Sequence, residues 1–428
     1  MGRACEGTPN WGFSMKRFAV LAAAVAVALV VPGAARAADD IVIGAVYPLT
    51  GNGAQVGLDA KAAFEVAQDI INTKHAAIPM LMGKGGGLDK LGGAQIKLVF
   101  ADSQNDPQKA RAEAERLITQ EHAIAIVGSY TSATAATISQ VTERYEVPYM
   151  SADNSSPSLN QRGLKWFFRT SPHDEMFTQA MFQFFKDVGE KTGHPVKTVS
   201  LFYEDSIFGT DSSGVQRRLA GAAGINVVAD IKYRANSPSL SAEAQRLKTA
   251  DADVLMPSSY TSDAILIMRA MSEIGYTPKA VMAQAAGFQE QAFLDGAGKL
   301  AEGVLSRSSF ALDAVKTRPA IPVVNGMYRT KNNKDMNDNT SREFTALMVL
   351  ADAINRAGSA KPEDIRKALV ATDIPGNQTI MPWQGVKFDE TGQNTEGTPV
   401  IQQVTDGKYH TVWPFDLAVQ PVVWNVGK

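Results

Sequence analysis

The chain has 428 residues, enough for two or three domains, and 45% of them are apolar, ample to fill cores. A net charge of −2 excludes an electrostatic grip on nucleic acid or on an anionic membrane surface, and no stretch is basic enough to read as a tail. The composition is that of a soluble globular protein with an unusual beginning.

Met15-Lys16-Arg17 is a positive start to the apolar run "FAVLAAAVAVALVV" (18–31). Pro32 and Gly33 break that run, and Ala35-Arg36-Ala37 supplies a small-x-small cleavage pattern. A membrane anchor would need about 20 apolar residues. The expectation is a cleaved signal peptide within residues 1–37, with the mature chain starting near Ala38 and residues 1–14 preceding the true start. Cys5, the one cysteine, falls in this leader. The mature chain then has no disulfide, thiolate metal site or cysteine nucleophile, which suits export to a bacterial periplasm.

From residue 41 strands and helices alternate. "IVIGAVYPL" reads as a strand, "TGNGAQVG" as a glycine-rich turn, and "LDAKAAFEVAQDIINTK" as a helix with apolar residues at 63, 66, 67 and 70. "MGKGGGLDKLGG" is expected to be an exposed loop and "QIKLVFAD" a strand. Asp106 caps a helix that begins at Pro107, where the missing N–H costs nothing. "AIAIVG" and "VPYMSA" are strands flanking a helix over 133–145. The same grammar restarts after "FFRTSPHDE", with strands at "VKTVSLFY", "INVVADIKY", "ADVLMPSS", "AVMAQA" and "GVLSRSSF" and helices between them. Strands separated by helices imply parallel sheets covered on both faces, here as two α/β lobes of similar size. Residues 311–385 return to a mainly helical pattern, and "GTPVIQQVTDGKYHTVWPF" predicts a hairpin turning near Asp406-Gly407.

In such sheets ligands lie beyond the carboxyl ends of the strands. "GSYTS", "SADNSS", "YEDSIFG" and "PSSYTSD" all fall there and are rich in hydroxyls or acids, which points to a cleft. In "VGSYTSATA" five of the seven residues after Gly128 carry a hydroxyl and a helix follows, a seat for a negative or polar group. The competing use of those hydroxyls is to cap their own helix.

Enzyme signatures are weak. "GNGAQVG" has its third glycine one place late for a dinucleotide fingerprint, "GAGK" lacks the rest of a P-loop, and no G-x-S-x-G elbow occurs. The histidines at 75, 122, 173, 194 and 410 include no H-x-x-x-H pair, so neither a zinc site nor another cofactor is expected. The adjacent acids Glu204 and Asp205 read as solvated. The chain is expected not to be an enzyme.

"IVIGAVYPLTGNGAQVGLDAKAAFEVAQDIIN", "ADSQNDPQKARAEAERLI", "IVGSYTSATAATISQVTERYEVPYMSADNSSPSL", "FFRTSP" and "YEDSIFG" together make the chain resemble the branched-chain amino-acid (Leu/Ile/Val) periplasmic binding proteins of ABC importers. The resemblance runs in order over nearly all of the mature chain. It implies a type I periplasmic binding protein fold: two doubly wound parallel-sheet lobes, joined by a three-strand hinge, that close around one small ligand. The lobes would comprise 38–170 with 308–394 and 171–307 with 395–428. Carried over by position, it places Ser132 at the ligand carboxylate, Asp153 and Ser155 near the ligand's polar head, and Phe208 and Tyr260 over it from the second lobe. It also implies a monomer that hands its solute to an inner-membrane permease. A sensory subunit, or a periplasmic hydrolase on the same scaffold, is the alternative.

One departure bears on the ligand. Family members that bind amino acids place a glutamate after the strand matching "AVMAQ", and this chain has Ala285 there. A buried ammonium without a carboxylate partner costs several kcal/mol. Either Asp153 takes that role or the ligand lacks an amino group. Tyr130, Phe208, Tyr260 and Trp383 are the aromatics expected to enclose the body of such an acid.

Overall fold

The computed structural model describes residues 40–427; the expected signal peptide and Cys5 lie outside them. The first half builds β1 (Ile41–Tyr47), α1 (Ala54–Asn72), β2 (Ile96–Asp102), α2 (Pro107–Thr119), β3 (Ala125–Gly128), α3 (Ser132–Tyr145), β4 (Tyr149–Ser151) and β5 (Phe167–Arg169). Their strands form one parallel sheet in the order β2-β1-β3-β4-β5. The apolar stripe of α1, with Ala63, Val66, Ala67 and Ile70 all buried, packs on one face, and α2 and α3 cover the other. Asp106 caps α2 through the Lys109 N–H at 2.8 Å, with Pro107 in the first turn as expected. α1 starts within the segment read as a turn, because Gly53, at φ 90, lets the chain enter the helix at once.

The second run holds α4 (Asp174–Thr192), β6 (Thr198–Glu204), α5 (Ile207–Ala222), β7 (Asn226–Tyr233), α6 (Ser241–Ala250), β8 (Val254–Ser258), α7 (Thr261–Glu273), β9 (Met282–Ala283), α8 (Gln291–Ala297) and β10 (Leu305–Ser308). The chain then adds α9 (Ile321–Asn332), α10 (Asp338–Ala357), α11 (Pro362–Val370), β11 (Asp373–Pro375) and β12 (Gly385–Lys387). It ends on β13 (Val400–Thr405) and β14 (Lys408–Trp413). Strands β7-β6-β8 are parallel, and a bridge from Leu255 to Val281 continues them into β9-β10-β13-β14. In that last group the hairpin β13–β14 runs antiparallel, and Asp406 and Gly407 both adopt the positive φ that its turn requires.

Helices α9 and α10 share the core of the first sheet with α1, so the chain passes between the sheets after β5, after β10 and before β13. Arg169 and Gln393 pair where two of these passages meet. Four features depart from the sequence outline. Helix α4, strand β5 and the short hairpin β11–β12 are present where no element was placed. The 82–93 loop is not wholly exposed, because Leu88 is buried in the first core and its N–H donates to the Ala94 carbonyl.

Candidate functional site

The loops leaving β3, β4, β6 and β8 converge on one small space. Tyr130 and Ser132 follow β3, Asp153 and Ser155 follow β4, and Phe208 and Tyr260 stand at the starts of α5 and α7. All six border the same cavity of about 10 Å³, together with Arg307, Asn339 and Arg342. That volume holds at most about one water, so the surrounding side chains fill the inner space. The ring of Tyr260 lies 5.0 Å from that of Tyr130 and 5.4 Å from that of Phe208. Both tyrosines also border an outer chamber of about 440 Å³ that includes the residues around Gly51–Asp59. Trp383 is not at either space: it is wholly buried in the core of the first sheet, where its size suits packing.

The hydroxyls of "GSYTSAT" divide in two. Thr131 is the N-cap of α3 and accepts from the Thr134 N–H at 3.3 Å; the Ser129 and Thr134 hydroxyls bond each other at 2.7 Å. That network is the capping use. It does not include Ser132, the first residue of the helix and only 2% exposed, or the Tyr130 hydroxyl, which is buried without a partner. The Ser132 N–H acts on the Tyr260 hydroxyl, so an oxygen already stands at the positive end of the helix.

Asp153 is committed elsewhere. Its carboxylate meets Arg342 at 2.6 Å, and Arg342 also donates to the Asp153 carbonyl oxygen at 2.8 Å. Arg342 reaches Asp338 at 2.8 Å, and Asp338 binds Arg307 at 3.0 Å, a continuous chain of alternating charge. Burial raises the Asp153 carboxyl to about 6, against the opposing pull of Arg342. Burial lowers Arg307 to about 10. Burial lowers Arg342 too, but Asp153 and Asp338 outweigh it and hold the guanidinium above its ordinary value. Glu343, next in sequence, is buried with neither carboxylate oxygen bonded; burial and then Asp153 push its carboxyl well up. Asp174, at the start of α4, accepts from Gln284 at 2.9 Å and its N–H donates to the Ser155 carbonyl, which fixes the 153–156 loop.

The stretch replacing the expected glutamate is shaped by close packing. Ala285 and Ala286 both have positive φ, at 56° and 48°. A Cβ on Gly287 would stand 2.2 Å from the Thr261 nitrogen, so the turn leaves no room beyond hydrogen against the backbone that carries Tyr260. Sequence reasoning missed Arg307, Arg342, Asp338 and Asn339. The signal was weak: the polar start of α10, "DNTSRE", reads as exposed, although residues 338–343 are all buried and buried charges need partners.

An α/β protein with two such sheets, loops gathered at their strand ends and three connecting passages has the type I periplasmic binding protein fold. The family model described as periplasmic binding protein matches residues 40–408, and the chain belongs to that family, in its Leu/Ile/Val-binding branch. Leu/Ile/Val-binding protein homolog 7 of Brucella abortus is 30% identical over 405 residues, spanning 93% of this chain and 98% of its own. Homolog 8 of Brucella suis is 30% identical over 407 residues, 94% and 97%. The leucine-binding protein LivK of Thermotoga maritima superposes with a TM-score of 0.74 at 22% identity, covering 88% of this chain and 99% of its own. A solute-binding protein of an ABC transporter from Rhodopseudomonas palustris, solved with 3,4-dihydroxybenzoic acid, gives 0.72 at 17% identity, covering 91% and 99%. At those identities the solved structures show the fold. Family membership implies a secreted periplasmic protein, and no described helix is long and apolar enough to cross a membrane.

Proposed function

We propose that the protein captures a small carboxylate-bearing solute between its lobes and delivers it to an inner-membrane ABC permease. Residues 38–170 with 308–394 form one jaw, 171–307 with 395–428 the other, and the passages between them the hinge. The ligand carboxylate takes the start of α3, using the Ser132 hydroxyl and N–H in place of the Tyr260 hydroxyl; Tyr130, Phe208 and Tyr260 then part to enclose its body. Ser155 lies beside the polar head. The reading needs neither a catalytic residue nor a cofactor.

The observation that carries the ligand class is Arg342. Its guanidinium already engages both the carboxylate and the carbonyl of Asp153, the groups that an α-ammonium would use. An amino acid would bring a second cation to a partner already paired. The ligand is therefore an acid without an α-amino group. Both ligand types occur on this fold: one neighbour, from Streptococcus pneumoniae, was solved with isoleucine and another with dihydroxybenzoic acid. Calorimetric titration with leucine and with its 2-oxo analogue separates the two. The account predicts binding of the oxo acid and none of leucine; tighter binding of leucine overturns it.

A further inference from the structure

The outer chamber has a chemistry of its own. Glu204, Asp263 and Glu290 border it, with Asp59, and no lysine or arginine does. Asp59 is already neutralised by Lys334 at 3.0 Å. The other three are in no ion pair among the described residues, although they are buried to 1%, 4% and 2% exposure. Glu290 is held by two neutral donors, the side-chain amides of Asn339 and Asn337, the latter at 3.1 Å. Asp263 accepts from the Asn236 N–H at 3.0 Å. One oxygen of Glu204 has no partner at all, and neither has the hydroxyl of Tyr130 at the boundary with the inner space.

Buried carboxylates are normally paired, because an uncompensated charge in a poorly solvated place is costly. Three of them around one chamber, with an orphaned oxygen and two tyrosines, lack only a positive charge. Aromatic faces attract cations by their ring quadrupoles, and ammonium–carboxylate hydrogen bonds are about twice as strong as neutral ones. We propose that this chamber is a cation subsite, which accepts a distal ammonium group on the same solute whose carboxylate lies at α3. The ligand is then an acid with its positive charge carried away from the carboxylate, reaching past the Tyr130–Tyr260 pair. This rests on the carboxylate reading above and narrows it.

Burial raises the Glu204 carboxyl to about 7 and the Glu290 carboxyl to about 8. At neutral pH both groups therefore hold protons in the empty chamber, Glu290 more than Glu204, and a cation there favours their ionised forms.

The test is calorimetric titration of the protein with straight-chain acids of four to six carbons in three forms: unsubstituted, ω-hydroxy and ω-amino. The expected result is a gain of about tenfold or more for the ω-amino acid over the unsubstituted acid at one chain length, with the hydroxy acid falling short of it. Glu290→Gln and, separately, Glu204→Gln should each shrink that ratio. If the unsubstituted or hydroxy acid binds as tightly as the amino acid, the cation subsite is wrong while the carboxylate site stands. If no acid of any form binds, the carboxylate reading falls as well.

Discussion

Replacing Arg342 by methionine removes the centre of the buried charge chain while filling a similar volume. It breaks contacts of 2.6 Å to Asp153 and 2.8 Å to Asp338, and strips the Asp153 carbonyl of its donor at 2.8 Å. Asp338 keeps Arg307 at 3.0 Å, so the uncompensated group is chiefly Asp153, which is buried with one carboxylate oxygen already unbonded. Removing one partner of a buried ion pair costs about 3–5 kcal/mol, because the other charge is left in place. Unfolding entropy of about 2.1 cal/mol/K per residue over about 390 residues gives about 0.8 kcal/mol/K, so the melting temperature should drop by about 4–6 °C. Adding Asp153→Asn removes the stranded charge. The double variant should recover about 2 kcal/mol or more relative to the sum of the two single changes, read by urea denaturation at pH 7. A loss below about 1 kcal/mol for Arg342→Met, or strict additivity, refutes the pairing on which the ligand class depends.

Ser132→Ala should weaken binding of the oxo acid by about 1.5–3 kcal/mol, the worth of a hydrogen bond to a charged group, with the melting temperature unchanged; equal affinity removes Ser132 from the site. Glu290→Gln should stabilise the empty protein at neutral pH. Burial, then Asp153 and Asp59, raise the Glu290 carboxyl from 4.5 to about 8, so the folded state holds its proton where the unfolded chain has lost it. Its contribution is fully present below pH 4.5 and is lost as pH rises through about 8. At pH 7 the variant should gain about 3 kcal/mol and show a flatter fall of stability between pH 5 and 8, measured by melting in ligand-free buffer. A parallel pH profile in parent and variant counts against a buried, unpaired Glu290.

The alternation of strand and helix was legible because each element has one buried face: α1 shows its apolar stripe at helical spacing, and β1 and β3 are short apolar runs ended by turn residues. The candidate site was legible where it sits on those elements, since the start of α3 and the loops after β4, β6 and β8 follow from the strand ends and border one space. Local pattern reaches no further. Arg342 and Asp338 pair four residues apart on one helix, but the arrival of Arg307 from β10 and of Asp153 from the loop after β4 depends on the passages between sheets. The hydroxyls after β3 show a second limit, because composition cannot tell the capping threonine, Thr131, from Ser132 beside it. Trp383 went to the core for the same reason: its size announces burial, not against what. The three acids of the outer chamber lie at the end of β6, in α7 and just before α8, and only folding brings them to one space.

The most direct measurement is a crystal structure of the protein with the tightest-binding acid from the titrations. The account predicts the carboxylate within hydrogen-bond distance of the Ser132 hydroxyl and N–H, with Arg342 still on Asp153. A ligand whose carboxylate lies elsewhere, or an α-ammonium seated on Asp153 with Arg342 displaced, contradicts it.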